Sequence, residues 1–92
     1  MTVQWPVLDR FVDALWLEEG LAANTLAAYR RDLEQLALWL VAQDAGAGAG
    51  VLVGTTETQL QAYFAARHAQ TRATTANRRL TVFKRFFRWA LR

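Results

Sequence analysis

Residues 21–40, LAANTLAAYRRDLEQLALWL, carry an apolar stripe that leaves this chain little choice of fold. Leu26, Tyr29, Leu33, Leu36 and Leu40 recur at spacings of three and four, the period of a helix with one face in a core. Ala37 sits beside the stripe, and Arg30, Arg31, Glu34 and Gln35 fall mostly outside it. No Gly or Pro interrupts the run, and Ala and Leu dominate it, so local propensity agrees with the pattern. The spacing predicts one long amphipathic helix from about Ala22 to Gln43. Asn24 is the best capping side chain near its start, since Ala22 or Ala23 would cap poorly.

Three further helices are expected around it. Residues 6–19 carry an apolar stripe of Leu8, Phe11, Val12, Leu15 and Trp16. Pro6 suits a first helical position, where a missing N–H costs nothing, and Gly20 suits the residue just past the end. Residues 44–55, DAGAGAGVLVGT, are the one real break, from which Val51, Leu52 and Val53 can return to the core. The glycines there are not a phosphate loop, because no Gly-Lys-Ser/Thr follows and no strand precedes. Thr56 with Gln59 spells a capping box for a third helix running to His68 or Ala69, with Leu60, Tyr63, Phe64 and Arg67 on one side. The fourth runs from Ala73 to Arg92. Its expected core stripe is Leu80, Phe83, Phe87 and Leu91, flanked by Ala76, Phe86 and Ala90. Four helices with short links and no strand predict an all-α four-helix bundle in a single domain over residues 1–92.

Charge is unevenly divided. The net charge of +3 splits into three basic and eight acidic side chains over residues 1–57, and eight basic with no acidic ones over 58–92. A basic third with no acid in its own sequence points to a polyanion partner. Half of these basic side chains lie on one row of the fourth helix: Thr74, Arg78, Thr81, Arg85, Arg88 and Arg92. A helix fits the major groove of duplex DNA, Arg can bond both acceptors of guanine, and Thr or Asn can hold phosphate or base edges. Small polar residues stand at the starts of both long helices, Asn24 and Thr25 on the second, Thr74, Thr75 and Asn77 on the fourth. Helix starts bring free N–H groups and a positive dipole for phosphate. The two helices together suggest a clamp on a duplex.

Other chemistry is poorly supplied. With no cysteine there is no disulfide and no thiolate metal site, which fits a reducing, cytoplasmic setting. Asp9, Arg10, Asp13, Glu18 and Glu19 interrupt the first apolar stretch, so neither a signal-peptide core nor a membrane span is expected there. One histidine, two tyrosines and scattered carboxylates assemble into no catalytic set and no metal site, and no cofactor is expected. His68 reads as a dipole partner at a helix end, Tyr29 as a core-edge residue, and Trp16 and Trp39 likewise. Trp89 lies off the expected stripe of the fourth helix, where it can serve an interaction surface.

The runs FVDALWLEEGLAANTLAAYRRDLEQLALWL and ATTANRRLTVFKRFFRWALR resemble the N-terminal core-binding domain of tyrosine site-specific recombinases. The most specific part is Asn-Thr-Leu-x-Ala-Tyr-Arg-Arg-Asp-Leu, residues 24–33. DALWLEEGLAANTLAAYRRDL is most similar to the branch that resolves chromosome dimers. The fourth-helix match rests on Thr75, Arg78, Leu80 and Phe87. The resemblance implies a four-helix (SAM-like) bundle whose second and fourth helices lie across the major groove of a recombination site. It implies contacts to double-stranded DNA from Asn24, Thr25, Ala28 and Arg31, with Arg30 beside them, and from Thr74, Thr75, Arg78, Arg79 and Arg85. It places the catalytic tyrosine and its partners in a second domain outside these residues, and it implies sister recombinase protomers as protein partners. Two departures stand out: Ala22, where the family usually has Ser, and the Gly-Ala loop at 45–50. The same domain in a phage or integron integrase is one alternative. A helical protein–protein interaction module, using aromatics around Phe86 and Trp89, is another.

Overall fold

Four helices make up most of the chain that the computed structural model describes, which is residues 5–43, 52 and 54–91. They are α1 (Pro6–Glu19), α2 (Ala23–Gln43), α3 (Glu57–Arg67) and α4 (Ala73–Ala90), with one 3-10 turn, His68–Gln70, between α3 and α4. No strand occurs among the described residues. The chain is all-α, as its periodicity requires.

The boundaries follow from local chemistry. Pro6 opens α1, and Gly20 ends it in the left-handed conformation at φ 62°, its N–H donating to the Trp16 carbonyl at 3.1 Å. The α3 capping box forms as its sequence spells it: the Gln59 N–H donates to Thr56 Oγ1 at 3.2 Å, and the Thr56 N–H donates to Gln59 Oε1 at 2.9 Å. Asn24 does not cap α2. It is the second residue of that helix, and the first carbonyl to accept a helical bond belongs to Ala22, from the Leu26 N–H at 3.0 Å.

α2 is the central element and packs on α1, α3 and α4. Its buried residues Leu26, Leu33, Leu36, Ala37 and Leu40 are the expected stripe, with Tyr29 half-buried at its edge. They meet Leu8, Phe11 and Leu15 of α1, Tyr63 of α3, and Val82, Phe83 and Phe86 of α4. Trp5 and Leu52 close the core from outside the helices. Val51, Val53 and the glycine-rich stretch 44–50 lie outside the described residues.

α4 departs from its expected orientation. Leu80 and Leu91 are 44% and 86% exposed, Phe87 is half-buried, and Val82 and Phe86 take the interior with Phe83. The core face is turned by one residue, or about 100° of helix. The cause is Arg79, which points inward one turn before Phe83 because α2 offers it polar partners. Leu80 is thereby turned toward α3, where it lines an open groove of about 400 Å³ with Leu60, Phe64, Phe83, Lys84 and Phe87. The tryptophans are redistributed as well. Trp16 is 56% exposed rather than at the core edge, whereas Trp89 is half-buried with its ring 5.4 Å from that of Phe11. Phe86 has no exposure at all.

Tyr63 is fully buried among Trp39, Phe64 and Phe83, with the Arg67 guanidinium 5.1 Å from its ring centroid. Burial raises its pKa above the usual 10.0, and the Asp32 charge adds to that. Arg67 and Arg79 pull the other way. The unfolded chain therefore ionises this hydroxyl first. The domain is expected to keep its full stability from Tyr63 below pH 10.0 and to lose it as the pH rises further. Urea midpoints measured between about pH 8 and 11 check this, with Tyr63→Phe as the control that removes the loss.

Candidate nucleic-acid interface

The packing of α4 on α2 is organised by one acid. Asp32 is the one buried charged residue among those described, at 1% exposure. A carboxylate that deep must be paired. Arg78 pairs with it through two parallel bonds: Nε donates to Oδ2 at 2.8 Å and Nη2 donates to Oδ1 at 2.9 Å. Arg79 Nε lies 3.5 Å from Oδ1, too far for a hydrogen bond but close enough to share the charge. The rest of the Arg79 guanidinium is divided between Gln35 Oε1 at 3.1 Å and Thr71 Oγ1 at 3.4 Å. Thr71 in turn donates to the Arg67 carbonyl at 2.7 Å. The hydrogen bond to Asp32 raises the Arg78 pKa against the opposing effect of desolvation, so the guanidinium stays charged at any physiological pH.

Three basic side chains of the basic third, Arg78, Arg79 and Arg85, are therefore paired in space. Asp32 answers Arg78 and Arg79, and Glu19 Oε1 accepts from Arg85 Nη1 at 2.9 Å. Arg30 is held in the same manner between Asp9 of α1 and Glu34 one turn further along α2. The acidic first half of the chain supplies the partners that the second half lacks.

The residues expected to touch DNA fall into three groups. Asn24 and Arg31 of α2, and Thr74 and Arg78 of α4, are solvent-facing. Thr81 and Arg88 continue the α4 row outward, and Arg92 lies outside the described residues. Thr25, Ala28 and Thr75 are half-buried, with Ala28 one turn before Asp32 on the same side of α2. Arg79 and Arg85 differ from the expectation. The Arg79 side chain is only 11% exposed and is turned into the bundle by Asp32, Gln35 and Thr71. Arg85 lies at the surface but is tied to Glu19.

The start of α4 carries no side-chain cap: Arg72 holds the capping position without a side-chain bond, and its carbonyl accepts from the Ala76 N–H at 3.0 Å. At α2 the equivalent place falls on Ala22, whose methyl group has nothing to offer. First-turn N–H groups at such starts are donors for an outside anion.

Asp32 and Gln35 were not singled out by the sequence pattern. A usable signal was present: Asp32 adjoins Leu33 and stands one turn before Leu36, at the border of the apolar stripe, where an acid needs a cation from another element. Among the described residues, no group of three or more His, Cys, Asp or Glu side chains is placed to hold a metal ion.

Residues 8–92 match the phage integrase, N-terminal SAM-like domain family. The chain is 60% identical over 86 residues to a tyrosine recombinase XerD of Ralstonia nicotianae, which covers 92% of this chain and 26% of that protein. It is 40% identical over 87 residues to a tyrosine recombinase XerD of Proteus mirabilis, covering 94% and 26%. It is 37% identical over 87 residues to a tyrosine recombinase XerC of Xylella fastidiosa, covering 94% and 28%. The chain thus spans about a quarter of the length of the curated relatives it matches. No solved structure matches it. With four helices in place and a match reaching from Leu8 to Arg92, the chain belongs to the phage integrase, N-terminal SAM-like domain family.

Proposed function

We propose that this chain is the duplex-DNA-binding domain of a XerD-like recombinase, laying the first halves of α2 and α4 in the major groove of a recombination half-site. One observation carries the reading. Arg78 of α4 reaches the buried Asp32 of α2 while staying 41% exposed, and Asn24 and Arg31 on one helix and Thr74, Thr81 and Arg88 on the other are solvent-facing. Helix starts and hydroxyls there can take phosphates, and a guanidinium can take a base edge. Of the nine contacts expected from sequence, Asn24, Arg31, Thr74 and Arg78 have the access this role needs, and Thr25, Ala28 and Thr75 are half-buried.

Strand cleavage and rejoining belong, on this reading, to the larger part of a parent recombinase. Tyr63 is buried and Tyr29 is half-buried against the core, so neither is presented as a nucleophile. The parent would act in chromosome dimer resolution in the cytoplasm, with XerC-like sister protomers at the same DNA. No helix among the described residues is long and apolar enough to cross a membrane. The 60% identity to a XerD favours this branch over a phage or integron integrase. The burial of Phe86 and the packing of Trp89 on Phe11 and Phe86 favour the DNA reading over the interaction-module alternative.

Titration of a duplex under rising salt tests the proposal. This domain alone should bind with Kd of about 10⁻⁴–10⁻⁶ M near physiological salt, in the non-specific range. With roughly four phosphates neutralised, log K should fall against log salt with a slope of about −3.6. A flat salt response would sink the DNA reading.

A further inference from the structure

The Arg78–Asp32 pair uses only one side of the guanidinium. Both bonds leave from the Nε/Nη2 edge, to the two carboxylate oxygens of a residue at 1% exposure. A guanidinium carries five N–H donors in a fixed plane, and its Nη1/Nη2 end is a second fork able to meet two acceptors at once. The Arg78 side chain remains 41% exposed, on the outer row with Thr74 and Thr81. The carboxylate is itself buried at 1% exposure on α2, whose neighbouring Leu33 and Leu36 are fixed in the core.

We infer that Asp32 is a positioning residue for specificity: it grips Arg78 side-on, so that the end fork is presented outward, fixed in plane, to the O6/N7 edge of a guanine. This rests on the DNA-binding reading and adds to it one base identity and the residue that enforces it. A free arginine on the same row would meet phosphate or base as chance allowed. A braced one loses less side-chain freedom on binding and fits only a pair of acceptors in its own plane. Arg79 has no such part, since its guanidinium is spent inside the seam between α2 and α4. The carboxylate itself touches no base.

The test is selection of the 92-residue chain on a duplex pool with randomised bases, read by sequencing, at low salt. Wild type should enrich guanine at one position by about tenfold or more over the other bases. Arg78→Lys keeps the charge but has no second fork, so it should lose that preference while total affinity changes less than about threefold. Asp32→Asn should also flatten the preference, with the salt slope kept within about one unit, because no phosphate contact is removed. A second measurement avoids any dependence on how well Asp32→Asn folds. In wild type the Arg78 Nε–H proton resonance should stay in place on adding the selected duplex, while the Nη protons shift. No enrichment or binding of any duplex defeats the DNA reading and this inference with it. Binding without a guanine position, a guanine preference that survives Asp32→Asn, or an Nε–H signal that moves or vanishes on binding overturns the positioning role alone.

Discussion

Asp32→Ala is expected to destabilise the domain by about 3–5 kcal/mol, because it removes one side of a buried ion pair and leaves the other behind. The residue left behind is Arg79. Its side chain is only 11% exposed, and without Asp32 it keeps two neutral partners, Gln35 and Thr71, for a full positive charge. Arg78 suffers less, since at 41% exposure it can turn into water. The reverse truncation, Arg78→Ala, should accordingly cost about 1–2 kcal/mol: it gives up charge-assisted bonds but leaves Asp32 within reach of Arg79. Domains of this kind have about 5–15 kcal/mol in total, so Asp32→Ala should remain folded but only narrowly. Urea unfolding followed by circular dichroism separates the cases. With a slope of roughly 1–2 kcal/mol per molar, the midpoint should drop by about 2–3 M for Asp32→Ala and by about 1 M for Arg78→Ala. Equal drops would mean that Arg79 does not depend on Asp32, and the seam would need another explanation.

That network also marks where the sequence could be read and where it could not. Helix starts and stops were legible because each is fixed by neighbours along the chain: Pro6 and Gly20 for α1, Thr56 with Gln59 for α3. The stripe of α2 was legible because every residue on it is apolar and its period is unbroken. The orientation of α4 was not. A count of apolar residues puts Leu80 inside and Arg79 outside, and the reverse is found because Arg79 has partners on α2. Asp32 and Arg78 are 46 residues apart, so no local window joins them. The charge imbalance was equally misleading about pairing. Segregation along the sequence becomes pairing in space once α1 and α2 bring Glu19 and Asp32 against α4. Of the row Thr74, Arg78, Thr81, Arg85, Arg88 and Arg92, four members (Thr74, Arg78, Thr81 and Arg88) face solvent, Arg85 is half-buried and Arg92 lies outside the described residues. What sequence spacing cannot supply is which member of that row is braced and which, like Arg85, is tied down at its end.

Phe86→Ala should cost about 3–5 kcal/mol, the range for removing a fully buried aromatic ring, and Leu80→Ala only about 1 kcal/mol. Phe86 has no exposed surface. Its ring meets Phe11 edge-on at 5.3 Å, Phe87 at 5.2 Å and Trp89 at 6.1 Å, so truncation leaves a cavity walled by rigid rings that cannot close over it. Leu80 is 44% exposed on the groove toward α3, and its loss removes contacts without opening a void. The apolar stripe drawn from sequence alone ranks these two the other way, with Leu80 on the core line and Phe86 beside it. Urea midpoints of the two variants, with slopes unchanged from wild type, decide between the rankings. The result reaches beyond the core. Turning α4 by one residue to bring Leu80 inward would carry Arg78 away from Asp32 and Arg79 out toward solvent. A larger loss for Leu80→Ala than for Phe86→Ala would therefore undo the seam, the brace on Arg78 and the arrangement of the face proposed to meet DNA. The expected order leaves all three standing on the same helix rotation.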